Sequence, residues 1–312
     1  MTPVKHILVV VNPVAEGHQA AVEKAAFLAK CTGASTELVA WKAAYDRDDP
    51  SAALHAQALP SDAQFLSLLD ALAGPMRAQG SKVSLRIIQG QSLHDSVLDY
   101  VRSSGADIVV KDTHHHSLAK RTLLRNTDWY LAHRCPVPVL LTKPKAWARP
   151  PIIMAALGPK STSESGARLN HQILNRAASL AGDLSGDLHV IHAYVPAVLA
   201  RGARSVTGEL ANELEIENAY ERGQIERSAG TFGVTPARLH IEMGTPESCL
   251  PESVTAYHAD VVVIGASLHG RWHRMIVGST ASSVLESLPC DVLVVTLLFP
   301  RTIETVGIQQ RL

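Results

Sequence analysis

The residues best placed to do chemistry fall in one run, Asp260-Val-Val-Val-Ile-Gly-Ala-Ser-Leu-His-Gly-Arg-Trp-His-Arg-Met-Ile-Val-Gly-Ser279. Backbone N–H groups can close on an anion where glycine removes the side chain, and Gly265 and Gly278 supply that freedom. Ser279 and Thr280 are good N-cap residues for the apolar segment that follows. A helix N-terminus offers unpaired donors to negative charge. His269, Arg271, His273 and Arg274 add side-chain donors that can make charge-assisted bonds. The spacing therefore predicts a phosphate or other anion at Gly265, Gly278, Ser279 and Thr280, beside Arg271 or Arg274. Leu268 opposes this by putting a side chain inside the loop. The competing reading is a solvated basic loop with no ligand.

Other clusters carry less. His114-His115-His116 invites a metal, but three consecutive residues do not converge on one ion, and no cysteine or carboxylate spacing supports them. We expect no metal site. Lys111 ends an apolar run and Asp128 lies in the first turn of a short helix, so an ion pair between them is expected to be structural. Glu209, Glu213, Glu217 and Glu221 recur every four residues and read as a solvated acidic stripe. Cys135 and Cys290 precede proline or a buried strand and read as core thiols. No GxSxG, Walker A or HExxH motif occurs, and no base–nucleophile pair is evident, so no catalytic residues are assigned and no enzyme is expected.

The elements that must position these residues alternate between two periods. Ile7–Val11, Glu37–Ala43, Val83–Ile88, Asp107–Lys111 and Pro138–Thr142 read as strands. The stretches between them show helical spacing of apolar residues, with Ser61-Asp62 opening one helix. The pattern then recurs, with strands at Ile152–Leu157, Leu188–Ala193, Leu239–Met243, Val261–Ile264 and Val292–Leu297. Asp107-Ile-Val-Val and Asp260-Val-Val-Val lie 153 positions apart, as do Pro136-Val-Pro-Val139 and Pro289-Cys-Asp-Val292. Alternating strands and helices joined by short loops predict parallel sheets with helices on both faces. The domain expectation is 1–143, a proline-bearing linker 144–151, 152–298, and a tail 299–312.

Composition bounds the rest. At 312 residues, 46% hydrophobic and 19% charged, the chain can bury two cores. Formal net charge is zero, which argues against a nucleic-acid partner. The four cysteines sit far apart without a CxxC pair, which fits reduced thiols in a cytoplasm. No apolar run approaches the ~18 residues of a membrane span.

The glycine-loop run resembles the universal stress protein family, which carries Gly-x2-Gly-x9-Gly-Ser/Thr here; Gly265, Gly278 and Ser279 match, while Leu268 takes the second glycine's place. Lys111-x2-His114-x-His116 and Thr127-Asp128-Trp129 through Pro138-Val139 resemble the first domain of tandem, E-type members. The resemblance implies two flavodoxin-like (Rossmann-like, adenine nucleotide alpha hydrolase-like) domains. Each would hold a five-stranded parallel sheet ordered 3-2-1-4-5, and the two would pair through their fifth strands. Pairing into a homodimer stays open. It further implies a cytoplasmic stress-response protein. ATP-binding relatives end their first strand in an aspartate, where this chain has Asn12 and Gly158. In the first half, Asp112, His115, Arg125 and Asn126 stand at the glycine-loop positions. ATP is thus disfavoured as cofactor, more so in the first half. A small anionic or amphipathic ligand in the second half is the leading expectation, with a slowly hydrolysing ATP switch and a vestigial interaction protein as alternatives.

Overall fold

The computed structural model describes residues 3–11, 19–44, 61–113, 128, 130–158, 164–196, 208–266, 285 and 287–297. The strands are β1 (His6–Val11), β2 (Ser35–Ala43), β3 (Val83–Gly90), β4 (Ile108–Asp112) and β5 (Val139–Thr142), then β6 (Ile152–Leu157), β7 (Asp187–Tyr194), β8 (Leu239–Met243), β9 (Val261–Ala266) and β10 (Asp291–Thr296). The helices are α1 (Ala20–Thr32), α2 (Asp62–Ala78), α3 (Leu93–Ser104), α4 (Glu164–Asp183), α5 (Gly208–Gly230) and α6 (Pro246–Ala256). Residues 128 and 130–134 are also helical.

The strands form one ten-stranded sheet, in the order β3-β2-β1-β4-β5-β10-β9-β6-β7-β8. Each half is a parallel sheet ordered 3-2-1-4-5, as expected. The halves meet where β5 and β10 run antiparallel, with Leu140 opposite Leu293. Those two residues are 153 positions apart, so an approximate two-fold axis passes between them. A fifth strand left alone would expose a row of unpaired N–H and C=O groups, and here each covers the other's edge.

Several strands run past their apolar cores. β2 starts at Ser35 rather than Glu37, and β9 continues from Ile264 through Ala266. Ladder pairing with a neighbour extends them: Ser35 pairs with His6, and Gly265 and Ala266 pair with Val295 and Thr296. Helix ends follow local chemistry. Ser61 and Gln64 close a capping box at the start of α2. Gly33, at φ 73°, ends α1 in the left-handed conformation with its N–H on the Ala29 carbonyl.

Helices cover both faces of the sheet, with the edge strand β3 left partly exposed. α1, α2, α4 and α5 cover one face through Leu28, Leu69, Leu174 and Ile225. α3 and α6 cover the other through Leu98 and Leu250, joined by Leu131. Each layer runs unbroken across the seam.

The aspartates of the repeat are structural staples. Asp107 accepts the N–H of His6 at 2.9 Å, and Asp260 accepts the N–H of Ile152 at 2.9 Å. Each ties the fourth strand of its half to the start of the first. The linker is more than a spacer. Asp291, 1% exposed at the start of β10, accepts the Lys143 N–H at 2.8 Å and the Trp147 Nε1–H at 2.8 Å. It also meets Lys24 Nζ of α1 at 2.7 Å. Lys24 donates in turn to the Lys143 carbonyl at 2.6 Å. Burial pushes the Asp291 carboxyl above its usual range, against the opposing pull of Lys24.

At the far edge, His189 of β7 and His240 of β8 approach at 3.0 Å between Nδ1 and Nε2. The ring of Tyr257 stacks on His240 at 3.6 Å. Burial, then His189, lowers the His240 pKa to about 4. Burial and Arg238 lower that of His189, against Asp187.

Two outcomes follow from this packing. Lys24→Met strands a buried carboxylate and should cost about 3–5 kcal/mol in urea unfolding, whereas Lys24→Met with Asp291→Asn should recover part of that loss. Both histidines have folded pKa values below the unfolded value, so the unfolded chain binds more protons once the pH falls below about 6.5. Stability should therefore decline from pH 6.5 towards 4. His240→Gln should flatten that decline in thermal melts at pH 7 and pH 5; an unchanged slope would remove the pair from the account.

Candidate functional site

In open α/β sheets, ligands sit in the crevice beyond the carboxyl ends of the strands, where strand order reverses. In the second half that crevice lies over β6 and β9. β6 ends at Leu157, followed by Gly158. The Gly158 N–H donates to Asn170 Oδ1 at 3.1 Å, and Asn170 Nδ2 donates back to the Gly158 carbonyl at 3.1 Å. One amide on α4 thus satisfies both backbone groups of the residue that stands where nucleotide-binding sequences place an aspartate. Asn170 carries no motif, and its role was invisible in the sequence.

Gly265, at the carboxyl end of β9, has a packing reason of its own. A Cβ there would lie 2.7 Å from Leu169 Cγ and 2.9 Å from Ile173 Cδ1. α4 is therefore seated directly on the glycine. The five other residues assigned to an anion, Arg271, Arg274, Gly278, Ser279 and Thr280, lie outside the described residues, as does Leu268. The structure does not bring the predicted set together within what it describes.

The adjoining wall comes from β7 and α5. His192 is fully buried, with Nδ1 at 3.2 Å from the Leu157 carbonyl oxygen. A carbonyl only accepts, so Nδ1 carries the proton. Nε2 faces Glu221 Oε2 at 3.5 Å. Burial lowers the His192 pKa, opposed by the Leu157 carbonyl and by Glu221. The Tyr194 ring stacks parallel to His192 at 5.9 Å. Burial raises the Tyr194 hydroxyl, opposed by Asn218. Of the acidic stripe, Glu213 is exposed as a solvated face requires, but Glu221 turns inward onto His192. This wall is polar and turns the carboxylate of Glu221 inward, with Arg222 of α5 also acting on the Tyr194 hydroxyl.

The first half closes its crevice differently. Asp112, at the end of β4, accepts the Ala21 N–H in the first turn of α1 at 2.7 Å. It also accepts the Thr142 hydroxyl at 2.7 Å. The protein's own carboxylate thus occupies a helix N-terminus, where an external anion would find its donors. Next to it, Lys111 Nζ pairs with Asp128 at 2.5 Å and donates to the Asp112 carbonyl at 3.0 Å. That is the structural ion pair anticipated for these residues. His114–His116 lie outside the described residues.

Burial pushes the thiols of Cys135 and Cys290 up to about 11 and about 12, which keeps them protonated and inert. No group of three metal-ligating side chains occurs among the described residues. A groove of about 480 Å³ opens between α1 and α2, on the helical face, lined by Val22, Phe27, Leu72, Met76 and Arg149 among others.

Comparison with known proteins agrees with this architecture. The chain is 23% identical over 217 residues to universal stress protein E of Escherichia coli K12, covering 69% of each chain. It is 26% identical over 208 residues to the universal stress protein E homolog of Haemophilus influenzae, covering 66% of this chain and 67% of the relative. Among solved structures, a functionally unknown protein from Pseudomonas aeruginosa PAO1 is 26% identical, with a TM-score of 0.70 over 94% of this chain and 92% of the other. A universal stress protein from Archaeoglobus fulgidus, at 19% identity and a TM-score of 0.62, shares the fold over 93% and 96% of the two chains. The sequence profile of the universal stress protein family matches twice, over residues 3–143 and again over 166–296. Those two matches take in the whole first sheet, every strand of the second except β6, and the seam that joins them, so the chain belongs to the universal stress protein family and carries its domain in tandem.

Proposed function

We propose that this protein serves the stress response as a non-catalytic binding and signalling module, and that any small ligand it takes is an anion or anionic amphipath held by the second half. The observation that carries this reading is the unequal closure of the two crevices. In the first half, Asp112 already fills the N-terminus of α1 with negative charge. In the second half no side chain extends from Gly158 or Gly265, and the sequence beyond Ala266 supplies Arg271, Arg274 and the donors of Gly278, Ser279 and Thr280. Positive charge for an anionic head group comes from that loop, because the described wall contributes Glu221 instead.

ATP fits this arrangement poorly. Gly158 offers no side chain to a nucleoside, and its backbone groups are engaged by Asn170. Leu268 fills a glycine position in the loop. A first half sealed by Asp112 favours a purely structural role for that half. Thiols that are free and, apart from Cys31, buried support a reducing, cytoplasmic setting. No helix among the described residues is long and apolar enough to cross a membrane.

A thermal-shift screen of the full chain against nucleotides and anionic amphiphiles tests this. ATP should leave the melting temperature unchanged, and micromolar ATP affinity by calorimetry would overturn the reading. For an anion that does bind, Arg274→Ala should weaken affinity by about 1–3 kcal/mol in a salt-sensitive way, the range for a charge-assisted bond. Ser279→Ala should cost less, since the backbone donors remain. Equal affinity in both variants and the parent would move the site away from this loop.

A further inference from the structure

The pair at the far edge of the sheet has a geometry that its role in packing does not require. His189 Nδ1 and His240 Nε2 stand 3.0 Å apart on neighbouring parallel strands. Metal–imidazole bonds are about 2.0–2.1 Å long. Two such ligands at a right angle place their nitrogens about 2.9 Å apart, and at a tetrahedral angle about 3.3 Å apart. The observed separation lies nearer the right angle, which is the ligand arrangement of tetragonal copper(II) and nickel(II).

The surroundings suit a ligand pair. The two rings lie within 26° of parallel and meet edge to edge, and Tyr257 stacks on a face of the His240 ring at 3.6 Å. Rings held in place lose little freedom when they take up an ion. His189 is half-buried, whereas His240 on the outermost strand is 7% exposed, so an ion reaches the pair from the His189 side. Arg238 is the nearby cation, and Asp187 neutralises it at 2.6 Å. Both imidazoles are neutral near pH 7, because burial depresses each of them.

We infer that His189 and His240 form a two-imidazole site for a borderline divalent transition-metal ion, copper(II) foremost, that cross-links β7 to β8. In the metal-free pair, one facing nitrogen carries the shared proton. The ion binds both facing nitrogens from a position off the line that joins them, and the proton returns to the far nitrogen of the same ring. Both imidazoles stay neutral, so net proton count is unchanged at pH 7. Water fills the remaining positions. This inference is independent of any ligand in the crevice.

The test uses the full chain with His114, His115 and His116 changed to Ala, because that run competes for the same ions. Copper(II) is titrated at pH 7 and followed by calorimetry and by electron paramagnetic resonance. The expected result is one tight equivalent with a nitrogen-coupled spectrum and a raised melting temperature, and a weaker response to nickel(II). His189→Asn and His240→Gln should each abolish that equivalent, while His258→Ala, at an exposed residue next to Tyr257, should keep it. If either ligand variant is poorly folded, the other still decides the matter, since each removes only one imidazole. Copper binding that survives both substitutions, or no binding by the parent, overturns the assignment.

Discussion

The structure depends on one buried carboxylate. Asp291 stands at the first residue of β10, where the second half meets the first, and it is almost fully excluded from water. An isolated charge there would carry a large desolvation cost. It is tolerated because three donors converge on it in four contacts: the Lys24 ammonium, which meets both carboxylate oxygens, the Lys143 N–H and the Trp147 indole. Lys24 comes from the first helix, Lys143 and Trp147 from the segment between the halves. Register at the β5–β10 seam, the path of the linker and the docking of α1 are therefore satisfied together or not at all. Burial of Leu140, Leu293 and their neighbours supplies the driving force for pairing. The carboxylate selects one geometry among the many that apolar strands would accept.

Much of the fold was legible because the inner strands are covered on both faces. Ile7–Val11 and Val261–Val263 are continuous apolar runs, and such runs announce a parallel sheet without any knowledge of what covers them. The seam was expected only from the resemblance to relatives that pair through their fifth strands; the structure adds the physical reason, that two unsatisfied edges each complete the other. Strand ends were less legible. The extension of β9 through Gly265 and Ala266 is dictated by its ladder with β10, and no local propensity encodes it.

The crevices were hardest to read. The Asp291 cluster joins residues up to 267 positions apart, and Lys24 alone looks like an ordinary surface lysine on a helix. Asn170 sits in a helix with nothing to mark it, yet it alone closes both backbone groups of Gly158. Glu221 belongs to a regular acidic stripe, and only the fold decides that it turns toward His192. Glycines could be found, but their reason could not: Gly265 has the spacing of an anion loop and also the contact with Leu169 that a close helix demands. In each case the local rule was sound, and a long-range partner settled the outcome.

The seam also bears on how the two halves could come to differ. A homodimer joined through its fifth strands would have an isologous interface, in which every contact occurs twice by symmetry. Here Leu140 and Leu293 keep that axis, but the position equivalent to Asp291 is Pro138, which can neither ionise nor accept through a side chain. The Lys24–Asp291 bond is made once, on one side of the axis only. A symmetric ancestor could not have gained it without gaining its mirror image too. Covalent fusion lifts that restriction, and every later substitution can be accepted or rejected on one face alone. The two crevices are then free to drift apart, one sealed by its own aspartate and the other not, while the sheet that carries them remains a single piece.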